Sequence, residues 1–213
     1  MTSINVILDR SGSMYGCVGD TLGGFNHFIE KQKKDNPSGT VTLNLFAHDY
    51  DTVYENTPVD QVQTLTNDTY FPRGQTALLD AIGNTIKKIE TQEKPMVVII
   101  TDGYENASAK FTHAHVKDLI SMKESLGWNF VFLGANQDAI KVGGVLGIPE
   151  ESAMTFDTTN IYNAFEGLSC AVGRQVSGQE ETVAFTGLER TASQPTPGSP
   201  MSTSEVFTGL TRC

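Results

Sequence analysis

A short loop near the start of the chain carries several oxygen atoms of the kind that bind metal ions. Residues 9–13 have the pattern D-x-S-x-S and follow an apolar run. The loop offers the carboxylate of Asp9 and the hydroxyls of Ser11 and Ser13. Hard divalent cations prefer such oxygen ligands, and magnesium needs only a few because it keeps part of its water shell. The loop therefore predicts a site for a hard divalent ion, although the pattern is weak when it stands alone.

Two further loops are expected at the same edge of the sheet. Thr76 ends residues 72–76 just before a predicted helix, and Asp102 directly follows the apolar run 95–101. The carboxyl ends of parallel strands meet at one edge of an open sheet, where such folds bind ligands. Taken singly, each residue has an ordinary role open to it, since Thr76 could cap its helix and Asp102 could fill a turn. Together with the first loop they favour one metal site.

The combined set resembles the metal-ion-dependent adhesion site (MIDAS) of the von Willebrand factor A (VWA) superfamily, with all five positions in order: Asp9, Ser11, Ser13, Thr76 and Asp102. The resemblance covers residues 1–176. It implies that the serines and the threonine bind Mg²⁺ or Mn²⁺ directly and that the aspartates hold the ion directly or through water. Two carboxylates only neutralise a divalent ion, so it stays electrophilic enough to take a carboxylate from a protein partner.

Three longer segments strengthen this resemblance. Residues 46–59, 71–83 and 132–149 are similar to segments of compact, stand-alone VWA proteins of bacteria and bacteriophages. The resemblance implies the same origin for this chain.

The elements that must position these loops alternate between apolar runs and stretches of helical period. The predicted strands are residues 3–8, 40–47, 95–101, 129–133 and 153–156. After a break at residues 49–51, a short run that reaches residue 55 forms an edge hairpin with the second of these strands. Four of the predicted helices are residues 22–35, 76–91, 109–126 and 158–176. This alternation predicts an α/β fold: a Rossmann-like, doubly wound, mostly parallel sheet with helices on both faces.

The composition narrows the function further. The 213 residues include 15 Lys and Arg against 25 Asp and Glu, which gives a formal net charge of −10. Such a surface repels phosphate backbones and anionic lipid, so we expect neither nucleic-acid nor membrane binding. The first residues lack the features of a signal peptide, and no apolar run is long enough to cross a bilayer, so we expect a cytoplasmic protein.

The last part of the chain has a different amino-acid composition. Residues 177–213 include a Ser/Thr/Pro-rich stretch and are predicted to form an irregular tail without a packed core. The motif F-T-G-L-x-R occurs in it twice, 22 positions apart. If the copies are docking peptides rather than paired strands or a duplication without a role, they would mediate self-assembly or bind a second partner. Their candidate contact residues are Phe185, Leu188, Arg190, Phe207, Leu210 and Arg212.

Two functions of different classes remain open. The main hypothesis is a non-enzymatic, metal-dependent protein-binding module, an adhesion or scaffold domain whose ion engages an acidic group of a partner. The alternative is a magnesium-dependent hydrolase acting on a phosphate-containing substrate, for which Arg10 and Arg73 could bind the phosphate. Metal-dependent hydrolysis usually also needs a general base near the ion, and the three loops contain no His or Lys placed for that role.

Overall fold

The computed structural model describes residues 2–89, 94–135 and 138–195. Six strands are present: β1 (Ser3–Asp9), β2 (Thr40–Phe46), β3 (Tyr50–Pro58), β4 (Met96–Thr101), β5 (Asn129–Ala135) and β6 (Ala153–Phe156). The α-helices are α1 (Val18–Asp35), α2 (Leu78–Lys88), α3 (His113–Glu124), α4 (Ala139–Leu146), α5 (Ile161–Val176) and α6 (Gly187–Ala192). Within the described ranges, no helix is both long enough and apolar enough to cross a bilayer.

The six strands form one sheet in the order β3-β2-β1-β4-β5-β6. All neighbouring pairs are parallel except β2 and β3, which form the antiparallel hairpin expected at the sheet edge. The predicted α/β fold with a mostly parallel, doubly wound sheet is confirmed.

Two hydrophobic cores lie on opposite faces of the sheet because successive side chains of a strand point to opposite sides. On β1, Val6 and Leu8 pack with α1 and α5, whereas Ile7 packs with α2, α3 and α4. The central strands are therefore apolar on both faces: β4 is buried along its whole length. This explains why they read as continuous apolar runs rather than as alternating ones.

The strand order reverses between β1 and β4, since the chain leaves β1 toward β2 and later returns to its other side. In sheets of this type the loops at such a point diverge and leave a crevice at the carboxyl ends of the strands. The loop after β1 carries the D-x-S-x-S residues, and the loop after β4 begins with Asp102. The topology therefore brings these two loops side by side.

The packed core continues past residue 176, where the sequence places the end of the domain. Val183 and Phe185 are 1% and 7% exposed and belong to the core on the α1 and α5 face. Beyond them, α6 packs against α5 and β6. The boundary predicted at residue 176 is corrected accordingly: the described residues 177–195 are part of the domain, because their few apolar side chains fill a groove that the domain provides.

Candidate metal centre

Asp9 lies at the end of β1 with its side chain fully buried. One carboxylate oxygen accepts a hydrogen bond from the backbone N–H of Ser11 at 2.6 Å, and the other accepts one from the hydroxyl of Thr101 at 2.6 Å. The hydroxyl of Tyr70 donates to the Asp9 backbone carbonyl at 2.8 Å. These contacts fix the carboxylate on the loop between the strand end and the two serines.

The serines and Asp102 form a continuous row of oxygen atoms. The hydroxyls of Ser11 and Ser13 are 3.0 Å apart, and the Ser13 hydroxyl donates to Asp102 at 2.5 Å. Ser11 is buried, whereas Ser13 is exposed. The row therefore begins inside the protein and opens to solvent at Ser13, which is the geometry needed by an ion that keeps a free position.

Thr76 does not cap its helix. The N-cap of α2 is Ala77, whose own side chain makes no capping hydrogen bond. Thr76 is 3% exposed and lies against Gly103: a Cβ atom built on Gly103 would be 2.8 Å from the Thr76 hydroxyl and 3.4 Å from that of Ser13. All three loops thus meet at Gly103, where a larger residue would occupy the space between the hydroxyls.

The electrostatics of the site favour a cation. Burial raises the pKa of Asp9 to about 6, and the nearby charge of Asp102 adds to this despite the hydrogen bonds that Asp9 accepts. Burial also raises the pKa of Asp102. Two partly desolvated carboxylates without a compensating charge repel each other, and a bound divalent ion removes that repulsion.

The donor set fits a hard ion rather than a soft one. It consists of two carboxylates and three hydroxyls, and the part of the chain that the structure describes contains no group of three or more His, Cys, Asp or Glu side chains able to hold a metal. Cys17 lies near the site, but it is buried and its thiol contacts the carbonyl oxygen of Met14. Burial raises the pKa of Cys17 to about 11, so it stays a neutral thiol and a poor ligand for magnesium.

A network of charges ties the loop after β1 to two other loops. Asp49, in the turn between β2 and β3, accepts hydrogen bonds from Arg10 at 3.1 Å and from Arg73 at 2.7 Å. Both arginines also contact Asp51. Although burial opposes it, the two arginines hold the pKa of Asp49 below its usual value. The sequence suggested these arginines as phosphate ligands, but in the structure both are paired with carboxylates.

Three residues that sequence reasoning missed also hold the site together. Thr101 orients Asp9, while Asn106 and Glu105 connect the loop after β4 to the start of α2. Thr101 could have been found from its place beside Asp102 at the end of a strand. The contacts of Glu105 and Asn106 join residues 26 to 30 positions apart, so no local pattern indicates them.

A groove runs from the open end of the oxygen row across the surface. It is lined by Ser13 and Asp102 and by Thr158 and Thr159, which lie between β6 and α5. Asp20 also lines this groove.

The candidate contact residues of the tail are placed differently from the prediction. Phe185 is buried in the core, and Arg190 donates to the backbone carbonyls of Glu150, Glu151 and Ala153. These two residues attach the segment to its own domain and are not free for a partner. Leu188 is 76% exposed. The second copy, with Phe207, Leu210 and Arg212, lies outside the described residues.

No model of a protein family matches the sequence, and no curated protein does. Solved structures do match. Proximal thread matrix protein 1 (PTMP1) from the mussel byssus superposes over 79% of this chain and 45% of its own, with 16% identity and a TM-score of 0.58. Another structure of PTMP1 has a zinc-occupied MIDAS motif.

Two further structures have the same fold. The ArnB paralog VWA2 from Sulfolobus acidocaldarius covers 78% of this chain and 44% of its own, at 16% identity and a TM-score of 0.52. Manganese-loaded TRAP protein from Plasmodium vivax covers 63% and 57%, at 17% identity and a TM-score of 0.51. This chain therefore spans about half the length of these proteins. These superpositions show that the chain has the fold of the von Willebrand factor A superfamily.

Proposed function

We propose that this protein is a metal-dependent protein-binding module whose divalent cation, Mg²⁺ or Mn²⁺, takes a carboxylate from a partner. The observation that carries this proposal is the row of oxygen atoms from buried Ser11 through exposed Ser13 to Asp102, with Thr76 beside it and not used as a helix cap. Asp9 completes the set. An ion held there would have protein oxygens on its inner side and an open position toward solvent.

The surface around this position supports a protein partner. Tyr15 and Tyr104, which follow the first and third loops, are 75% and 64% exposed. Exposed tyrosines are frequent contact residues in protein interfaces because the ring is apolar and the hydroxyl can hydrogen-bond. Two structurally similar proteins contain zinc or manganese, which supports the proposal of a divalent ion here. We propose that the partner contacts the ion and both tyrosines.

The hydrolase alternative has less support. Arg10 and Arg73, which would bind a phosphate, are both engaged by Asp49 and Asp51, so a phosphate would have to compete with two carboxylates. A screen with phosphate mono- and diesters in magnesium would overturn the binding proposal if it found turnover that Asp102→Ala abolishes. The cytoplasmic location and the bacterial or bacteriophage origin stay predictions from the sequence.

The direct test of the metal site is calorimetric titration of the full chain with MgCl₂ and MnCl₂. We expect one ion per chain for the wild type and none for the Asp9→Ala/Asp102→Ala variant. Asp20→Ala is the matched control, because Asp20 is an exposed carboxylate of the same groove outside the proposed ligand set. Equal binding by the double variant and the wild type would refute the site.

The partner is tested by affinity capture in magnesium and in chelator. Proteins that bind only with metal, and that Tyr15→Ala or Tyr104→Ala weakens, would support the proposed surface. A second contact through the tail is also proposed, now limited to the exposed Leu188 and to the second copy, Phe207 to Arg212. Phe207→Ala should then reduce self-assembly or partner capture without changing the melting temperature, and an unchanged result would remove the tail from the proposal.

A further inference from the structure

Hydrogen bonds in both directions join the loop after β4 to the start of α2. Some of them cap the helix from another part of the chain. Glu105 accepts hydrogen bonds from the N–H groups of Leu79, Ala107 and Ser108 at 2.7 to 2.9 Å. In return, Asp80 of α2 accepts from the N–H groups of residues 109, 110 and 111 at 2.9 to 3.0 Å. Since α2 has no side-chain cap of its own, this loop satisfies its first N–H groups.

Asn106 adds a contact to Thr76 itself. Its side-chain oxygen accepts a hydrogen bond from the Thr76 N–H at 2.9 Å, and its backbone N–H donates to the Thr76 carbonyl at 3.0 Å. Both peptide groups that flank the Thr76 side chain are therefore held by one residue. Asn106 is only four positions from Asp102, so it links the loop that carries Asp102 to the loop that carries Thr76.

We propose that Asn106 is a positioning residue of the metal site, which sets the distance between the Thr76 hydroxyl and Asp102. The inference rests on the proposed metal-binding function. Its physical basis is that a hydroxyl is a weak ligand for magnesium unless it is held at the correct place. Without the Asn106 side chain, the Thr76 N–H loses this hydrogen-bond partner, and the Thr76 hydroxyl can move away from the ion.

The test is a double-mutant cycle on the full chain, with the Mn²⁺ dissociation constant as the measured quantity. Removal of groups that orient metal ligands typically weakens binding 10- to 100-fold, so we expect about a tenfold loss for Asn106→Ala. Thr76→Ala should lose at least as much. If Asn106 acts through Thr76, the double variant binds no more weakly than Thr76→Ala alone.

The control is Asn26→Ala. The side chain of Asn26, on α1, also accepts a hydrogen bond from a backbone N–H, that of Leu65 at 2.8 Å, and in addition donates to the Leu65 carbonyl at 3.0 Å. Asn26→Ala should leave Mn²⁺ affinity unchanged while lowering the melting temperature in chelator at least as much as Asn106→Ala does, because it removes two side-chain hydrogen bonds instead of one. That comparison separates positioning of the ligand from general loss of stability.

Two results would overturn the inference. One is an unchanged Mn²⁺ affinity in Asn106→Ala, and the other is a double variant whose loss of Mn²⁺ affinity equals the product of the losses in the two single variants. A wild-type protein that binds no Mn²⁺ would contradict the proposed function and this inference with it. Wild-type binding with an unaffected Asn106→Ala variant would contradict the inference alone.

Discussion

Replacement of Asp9 by asparagine should stabilise the protein when no metal is present. Asp9 is fully buried, and its pKa is raised from 3.8 to about 6. At about 1.4 kcal/mol per pKa unit, ionised Asp9 costs the metal-free protein about 3 kcal/mol at pH 7. The amide is neutral but loses one of the two hydrogen bonds that the carboxylate accepts, which costs about 1 kcal/mol. The net gain is about 2 kcal/mol.

The melting temperature reports this gain. For a chain of this length, 1 kcal/mol corresponds to about 2–4 °C, so Asp9→Asn should melt about 4–8 °C higher than the wild type in chelator at pH 7. The pH dependence has a defined sign. Because the folded protein binds the proton more tightly than the unfolded chain, the wild type loses stability as pH rises from about 4 to about 6, and the variant does not show this part of the loss.

Magnesium should reverse the order of the melting temperatures of the wild type and Asp9→Asn. An ion that binds only the folded state stabilises it by about 2.7 kcal/mol at a hundred times its dissociation constant. The wild type gains this amount, whereas Asp9→Asn, which lacks one of the two charges, gains little. The wild type should therefore melt higher in excess magnesium and lower in chelator.

The measurement is a set of thermal melts of both proteins at pH 4.5, 6 and 7.5, each in chelator and in magnesium. Asp20→Asn, an exposed aspartate of the same groove, should stay within about 0.5 kcal/mol of the wild type throughout. The reasoning is refuted if Asp9→Asn is less stable than the wild type in chelator at pH 7.5, or if magnesium stabilises both proteins equally.

Three further predictions concern other parts of the molecule. Gly103→Ala should weaken Mn²⁺ binding more than Thr76→Ser does, because its Cβ would lie 2.8 Å from the Thr76 hydroxyl; calorimetry checks the order. Phe185→Ala should lower the free energy of unfolding by about 3 kcal/mol, whereas Leu188→Ala, at a 76% exposed position, should change it by less than about 0.5 kcal/mol in urea denaturation. Glu189→Ala should lower the free energy of unfolding by about 3 kcal/mol, because the partly buried Arg174 would keep Glu180 as its one acidic partner. An effect below about 1 kcal/mol would contradict this.

The fold class could be read from the sequence because it depends on local patterns. The continuous apolar runs at β1 and β4 require burial on both faces, which only a parallel sheet covered by helices provides. The edge hairpin was also indicated by the alternation of apolar and polar residues in β2, and the short last strand was predicted at residues 153–156. The strand order was not, since it depends on contacts between residues far apart in the chain.

The candidate site was found from residue types and their positions after strands. The sequence alone left open whether Thr76 caps a helix, and tertiary structure decides this because α2 receives its cap from Glu105 of another loop. Arg10 and Arg73 were ambiguous for the same reason: their partner Asp49 is 24 to 39 positions away. Whether the five residues bind an ion stays a prediction.

The sequence by itself determined the succession of strands and helices and identified five candidate oxygen ligands in three loops, since both follow from short-range patterns. Only the tertiary structure showed that the packed core continues past residue 176. Residues 177–195 contain too few apolar side chains to form a core, so composition predicts a tail. Val183 and Phe185 are nevertheless buried because they join a core already formed by apolar residues of the sheet, α1 and α5, so this segment needs few apolar residues of its own.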